Sequence, residues 1–252
     1  MSLGRSASGR FTREGRELAT ILDVRALERR FGGIRAVDGI TFAVPEGAIV
    51  GLCGTNGSGK TTTFNCISGT DRANGGSISF RGSEINGADP YAISRLGIGR
   101  TFQIVRIFAE LTALENLVAV ARVGRDCERL DRALAALETV GLARMEDTLA
   151  GSLSFGQKKL LELARIMLLD PALLLMDEPA AGVNPALLER LLGLLKRFNA
   201  EGRSILIVEH NMRVISELCE WVYVLDHGRM IAQGTPEDVR ADPQVRQAYL
   251  GN

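Results

Sequence analysis

Gly54-Thr55-Asn56-Gly57-Ser58-Gly59-Lys60-Thr61 fits the pattern G-x-x-x-x-G-K-[ST], in which a glycine-rich turn cradles nucleotide phosphates. Its three glycines let the backbone turn tightly and aim N–H groups inward at phosphate oxygens. Lys60 can reach the β and γ phosphates, and the Thr61 hydroxyl can ligate Mg²⁺. Upstream, the apolar run Ala48-Ile49-Val50-Gly51-Leu52-Cys53 predicts a buried strand. Downstream, residues 61–68 predict a helix whose positive N-terminal end faces the phosphates. The competing reading is a glycine-rich turn that matches by accident; the strand–loop–helix context favours nucleotide binding.

The 252 residues suffice for one large domain or two small ones, and a hydrophobic content of 46% agrees with a globular core. Thirty basic residues balance thirty acidic ones, so no global field draws the chain to nucleic acid or anionic lipid. Leucine-rich runs such as Leu173-Leu174-Leu175-Met176 are short, and Glu162, Arg165 and Asp170 interrupt the longest apolar region. No segment reaches the roughly 18 apolar residues of a membrane span, and no signal-peptide pattern is expected at the start. Cys53, Cys66, Cys127 and Cys219 form no CxxC pair and read as small core residues in a reducing cytosol.

Residues 1–19 are rich in Ser, Gly and Arg with little apolar periodicity, which predicts a loose tail. Strands are expected over 21–27, 39–44 and 75–80, a short helix over 90–96 and a strand over 98–102. Helical patterns then cover 114–121, 130–140 and 156–169. In the last, Leu160, Leu161, Ala164, Met167 and Leu168 make one apolar stripe. From 172 the pattern alternates: strand 172–176, helix 185–199, strand 204–208, helix 211–219, strand 221–225. That alternation argues an α/β core with a parallel sheet, interrupted by a helical insertion at about 88–165. No internal repeat or low-complexity tract is evident.

Leu173-Leu174-Leu175-Met176-Asp177-Glu178 is an apolar strand ending in two acids, where ligands of open α/β sheets sit. Asp177 is placed to hold Mg²⁺ through water, and Glu178 to polarise a water for attack on the γ phosphate. Leu153-Ser154-Phe155-Gly156-Gln157 precedes the striped helix. It is either an ordinary helix start capped by Ser154 or a second phosphate-binding helix N-terminus. One subunit needs only one such site for a triphosphate, whereas two subunits facing head to tail would use both. His227, in Asp226-His227-Gly228, reads as turn chemistry.

With these motifs in order, residues 20–252 resemble the nucleotide-binding subunit of ATP-binding-cassette transporters. Gln103 in Arg100-Thr101-Phe102-Gln103 sits where that family has its Q-loop glutamine, and His210 in Val208-Glu209-His210 where it has its switch histidine. Ala181-Gly182-Val183-Asn184-Pro185 looks like its D-loop. The resemblance implies a P-loop NTPase (RecA-like) core with an antiparallel β subdomain and an α-helical insertion. It implies ATP and Mg²⁺ as cofactors. The phosphate loop would contribute Gly54, Thr55, Asn56, Gly57, Ser58, Gly59, Lys60, Thr61 and Thr62. Phe31 would stack on adenine, the alternative being a core phenylalanine beside Gly32-Gly33. Ser154, Gly156 and Gln157 would bind ATP held by the other subunit. Thr61, Gln103 and Asp177 would serve the metal, and Glu178, His210, Gln103 and Lys60 catalysis. Implied partners are integral membrane permease subunits, a second ATP-binding subunit (identical or not) and, indirectly, a periplasmic solute-binding protein, with no nucleic acid. The implied location is the cytoplasmic face of the inner membrane, bound peripherally.

Phe31-Gly32-Gly33 with Ala36-Val37, Arg100-Thr101-Phe102-Gln103, and Glu178 through Pro185 look like the branched-chain amino acid uptake branch. Gly234-Thr235-Pro236-Glu237, Asp242-Pro243 and Ala248-Tyr249-Leu250-Gly251 fit it too. Urea and short-amide importers share much of this, as does the lipopolysaccharide-export ATPase. Two departures stand out: Thr55 replaces the usual proline, and the helical region between Gln103 and Leu153 is shorter than in most of that branch. A non-transport cassette ATPase acting on DNA or the ribosome would carry a long coiled-coil insertion or two cassettes, and a guanine-nucleotide enzyme an Asn-Lys-x-Asp motif; neither occurs.

Overall fold

The computed structural model describes residues 3–5, 11–13, 16–102, 104–121 and 125–250. The chain starts with β1 (Leu3–Arg5), β2 (Phe11–Arg13) and β3 (Arg16–Glu17), a small antiparallel sheet. The described part of the expected loose tail is therefore structured. Leu3 and Phe11 are buried, the Phe11 ring meets Trp221 edge-on at 5.6 Å, and Arg13 donates to both Glu220 oxygens at 2.7 Å. The partners lie two hundred residues away, so no local period announces them.

Next come β4 (Thr20–Phe31) and β5 (Ile34–Pro45), joined through Gly32-Gly33. Each is about twice the expected length, because the strands continue through irregularities at Ala26 (φ 45°) and Gly39 (φ 75°) that break the alternation. Then β6 (Ile49–Gly54) leads through the glycine-rich loop into α1 (Lys60–Ile67). A hairpin follows, β7 (Gly75–Phe80) and β8 (Ser83–Glu84), completing a four-stranded antiparallel sheet in the order β5-β4-β7-β8.

After α2 (Pro90–Leu96), β9 (Ile98–Arg100) pairs in parallel with the later strand at Leu173 to Leu175. The expected 98–102 strand is thus shorter, and it belongs to the central sheet, so the helical part of the expected 88–165 insertion begins beyond it. That part holds α3 (Ala113–Val118), α4 (Asp126–Thr139) and α5 (Phe155–Leu168). They pack on one another through Leu117, Ala133, Leu137, Leu161 and Ala164. The α3 start is a reciprocal cap: Glu115 N–H donates to Thr112 Oγ1 (3.1 Å), and Thr112 N–H to Glu115 Oε2 (2.8 Å).

The chain closes with β10 (Leu173–Asp177), α6 (Pro185–Ala200), β11 (Ser204–Val208), α7 (Met212–Leu218), β12 (Trp221–Asp226), β13 (Arg229–Gly234), α8 (Pro236–Ala241) and α9 (Pro243–Leu250). The central sheet runs β13-β12-β6-β11-β10-β9 and is parallel except for β13. Both faces are covered, which is why β6, β10 and β11 read as unbroken apolar runs. Ile205 and Ile207 face the helices, while Leu206 and Val208 face α1 and the antiparallel sheet. Cys53, Cys66 and Cys219 are core residues as expected; Cys127 is exposed on α4, against that expectation, because its helix is mostly solvated. Among the described residues, no helix is long and apolar enough to cross a membrane.

Candidate functional site

The glycine-rich loop is pinned on both sides. Gly54 has φ 148°, and a Cβ there would lie 2.1 Å from the Leu225 carbonyl oxygen. Gly59 has φ 102°, and its Cβ would lie 2.5 Å from the Ala36 carbonyl oxygen. Only glycine fits such close backbone approaches. Gly228 N–H donates to the Ser58 carbonyl at 3.1 Å, tying the loop to the β12–β13 turn, where His227 sits as expected. Thr55, in place of the usual proline, donates its hydroxyl to Asp226 at 3.2 Å, so the departure adds an anchor. Gly59 caps α1 and offers no side chain to its first-turn N–H groups, which face the loop mouth.

Lys60 is buried, and its ammonium donates to the carbonyls of Gly54 (2.8 Å) and Thr55 (2.7 Å). Burial draws its pKa below the ordinary lysine value, while Glu178 and Asp177 oppose that shift. Ser58 and Thr63 are buried, Thr62 is half-buried, and Thr61 is exposed toward the cleft.

One open cleft gathers Gly54, Thr55, Asn56, Gly57 and Thr61 with Glu178, His210 and Tyr249. Glu178 follows β10 directly; its N–H donates to the Val208 carbonyl at 2.9 Å. Its Oε1 lies 3.5 Å from His210 Nδ1. Asp177 is more deeply set: Arg100 Nη2 reaches its Oδ2 at 3.4 Å while Arg100 Nη1 donates to Ser68 Oγ at 2.6 Å. Burial raises the Asp177 pKa, and Arg100 works against that rise.

A second cleft lies apart from the first. It is lined by Ser154, Gly156 and Gln157 together with Gly182, Asn184 and Arg190. Ser154 caps α5 reciprocally: Gln157 N–H donates to Ser154 Oγ (3.4 Å), and Ser154 N–H to Gln157 Oε1 (2.8 Å). The Gln157 side chain is thereby committed to the cap. The Ser154 hydroxyl proton and the N–H groups of Phe155 and Gly156 remain for a ligand. A Cβ at Gly156 would lie 2.5 Å from Leu187 Cδ2, so glycine also lets α5 sit against α6.

Thus Gly54–Thr61, Glu178 and His210 come together, whereas Ser154, Gly156 and Gln157 form a separate surface. Phe31 stands at the β4–β5 tip, 45% exposed, with Arg29 over its ring at 4.3 Å; it is no core residue, and it lines neither cleft. Gln103 lies outside the described residues. Arg100, Lys159, Glu209 and Tyr249 were not singled out as site residues in the sequence. Glu209, next to His210 at the end of an apolar strand, carried a signal that could have found it; Tyr249 carried none.

The model of the family described as "ABC transporter" matches residues 37–181. The chain belongs to the ABC transporter family. A second family model, "Branched-chain amino acid ATP-binding cassette transporter", matches residues 229–252 of this cassette. The high-affinity branched-chain amino acid transport ATP-binding protein BraF of Pseudomonas aeruginosa is 39% identical over 249 residues, covering 92% of the cassette and 98% of BraF. LivG of Escherichia coli, of the same description, is 38% identical with the same coverage. The lipopolysaccharide export ATP-binding protein LptB of Haemophilus influenzae is 34% identical over 235 residues. Among solved structures, the ADP conformation of MJ1267, an ATP-binding cassette of an ABC transporter, superposes with a TM-score of 0.84 at 31% identity, covering 93% of this cassette and all of that chain. The cassette is accordingly an ATPase subunit with the P-loop NTPase fold that its phosphate loop predicts.

Proposed function

We propose that this cassette hydrolyses ATP for an importer of branched-chain amino acids, working peripherally at the cytoplasmic face of the membrane beneath permease subunits that receive solute from a periplasmic binding protein. The cargo reading rests on the C-terminal match at residues 229–252 and on the descriptions of BraF and LivG. The mechanistic reading rests on one observation: the cleft at Ser154, Gly156 and Gln157 shares no lining residue with the cleft at Gly54–Gly57, Thr61, Glu178 and His210. A second cassette, another copy or a related chain, facing this one head to tail would bring its own Ser154-type surface over this chain's phosphate loop.

In such a pair the loop N–H groups and Lys60 bind the β and γ phosphates of ATP, and Phe31 takes the adenine. Glu178 accepts a proton from the attacking water, and His210, 3.5 Å from its carboxylate, orients that water and the γ phosphate. Mg²⁺ arriving with the nucleotide would supply charge neutralisation for phosphoryl transfer. Thr61, Gln103 and Asp177 would serve it. Among the described residues no cluster of three His, Cys, Asp or Glu makes a metal cage, which fits an ion that arrives on the nucleotide and keeps waters. Ser154 and Gly156 contact the γ phosphate across the interface, so closure depends on ATP and hydrolysis releases it.

Deleting the gene should abolish high-affinity uptake of labelled leucine, isoleucine and valine, with rescue by wild type but not by Glu178→Gln. Unchanged amino acid uptake together with loss of urea uptake or of surface lipopolysaccharide would overturn the cargo.

A further inference from the structure

Three consecutive residues after Glu178 are held by their backbones from two sides. Lys159 Nζ, on α5, donates to the carbonyl oxygens of Pro179 (3.1 Å) and Ala181 (2.6 Å). Between them, Ala180 N–H donates to Glu209 Oε1 at 2.8 Å. The other Glu209 oxygen accepts from the N–H groups of His210 and Asn211, both at 3.2 Å. Both side chains are buried, Glu209 completely. A buried ammonium and a buried carboxylate with their hydrogen bonds directed at backbone are costly unless the fold needs the positions they fix. What they fix is the turn between the two clefts. Lys159 lies one turn after the Ser154 cap, the turn at 179–181 follows Glu178 directly, and Glu209 precedes His210.

We propose that Lys159 and Glu209 are positioning residues that join the two half-sites: together they hold residues 179–181 so that the α5 N-terminus, Glu178 and His210 move as one unit. This inference rests on the head-to-tail reading above. Neither residue touches nucleotide in it. A partner's phosphate engaging Ser154 would pull on α5, and through Lys159 on the backbone that carries Glu178. Glu209 transmits the same placement to His210. The ammonium, with three donors on one nitrogen, serves both carbonyls at once.

Lys159→Met removes both bonds with little change in bulk. Glu209→Gln puts an NH₂ group where either Ala180 or the His210–Asn211 pair must donate, so one end of the tie fails. The test measures ATPase rate against ATP concentration for the assembled cassette pair, ATP affinity of the isolated cassette, and melting temperature. For each of the two variants we expect kcat to fall at least tenfold and the cooperativity in ATP expected of wild type to disappear. ATP affinity of the isolated cassette should stay within threefold, and Lys159→Arg should restore most of the rate. Should Lys159→Met fail to fold, Glu209→Gln and Lys159→Arg carry the comparison. Wild-type rates and cooperativity in folded Lys159→Met or Glu209→Gln would overturn the tie while leaving the head-to-tail reading standing. Wild type without cooperativity or ATP-driven pairing would overturn both.

Discussion

Glu178 works from a strained backbone position. Its φ is 48°, a conformation that costs a non-glycine residue about 1–3 kcal/mol and persists only where surroundings enforce it. The Val208 carbonyl on its N–H and the anchored turn at 179–181 supply that enforcement. The strain aims the carboxylate into the cleft beside His210. Glu178→Gln keeps the size and loses the base, so ATP binding should persist while hydrolysis falls by about 10²–10⁴-fold, read in single-turnover assays. Hydrolysis near the wild-type rate would remove Glu178 as base. Glu162 gives a pH signature. Burial pushes its carboxyl from the ordinary 4.5 up to about 7, against the Arg106 N–H and Arg165. A raised carboxyl pKa stabilises the fold fully below the unfolded value and is lost as pH climbs through the folded one. Between pH 4.5 and 7, wild type should therefore lose up to about 3 kcal/mol relative to Glu162→Gln in denaturant titrations, with no further divergence above. Parallel curves would contradict the burial. At this scale the phosphate loop, Asp177, Glu178 and His210 were legible because each stands at the end of an apolar run. Arg100 was legible only as a family string, since its pairing with Asp177 depends on β9 lying beside β10 in register.

Elements were readable wherever their period was local. The helix at Pro90–Leu96 and the strands at Gly75–Phe80 and Ser204–Val208 fall where turn residues and apolar spacing predict them. The N-terminal sheet was not, because its stability comes from Trp221 and Glu220 at the far end of the chain. Trp221 is the chain's one tryptophan, and Phe11 covers it. Removing residues 1–17 should shift tryptophan emission to the red and lower the melting temperature; an unchanged emission maximum would mean that the sheet does not dock there. At the start of α5, Ser154→Ala loses the acceptor for Gln157 N–H and should cost about 1 kcal/mol of stability by denaturant titration. No loss would show that the serine is kept for its ligand alone.

For the whole molecule, the proposed head-to-tail pairing makes each of the two clefts half of a site completed by a second cassette. Each half is prepared separately: one by the loop pinned between Leu225 and Ala36, the other by the cap at Ser154. Tyr249, on the C-terminal helix, brings the segment matched at 229–252 to the edge of the first cleft. Sedimentation of the Glu178→Gln cassette pair with Mg-ATP, with and without Ser154→Arg in both members, tests the split site most directly. A stable ATP-bound dimer is expected, which Ser154→Arg returns to monomers while each monomer still binds ATP as tightly as before. A dimer that survives Ser154→Arg, or monomers that lose ATP binding with it, would contradict the split site.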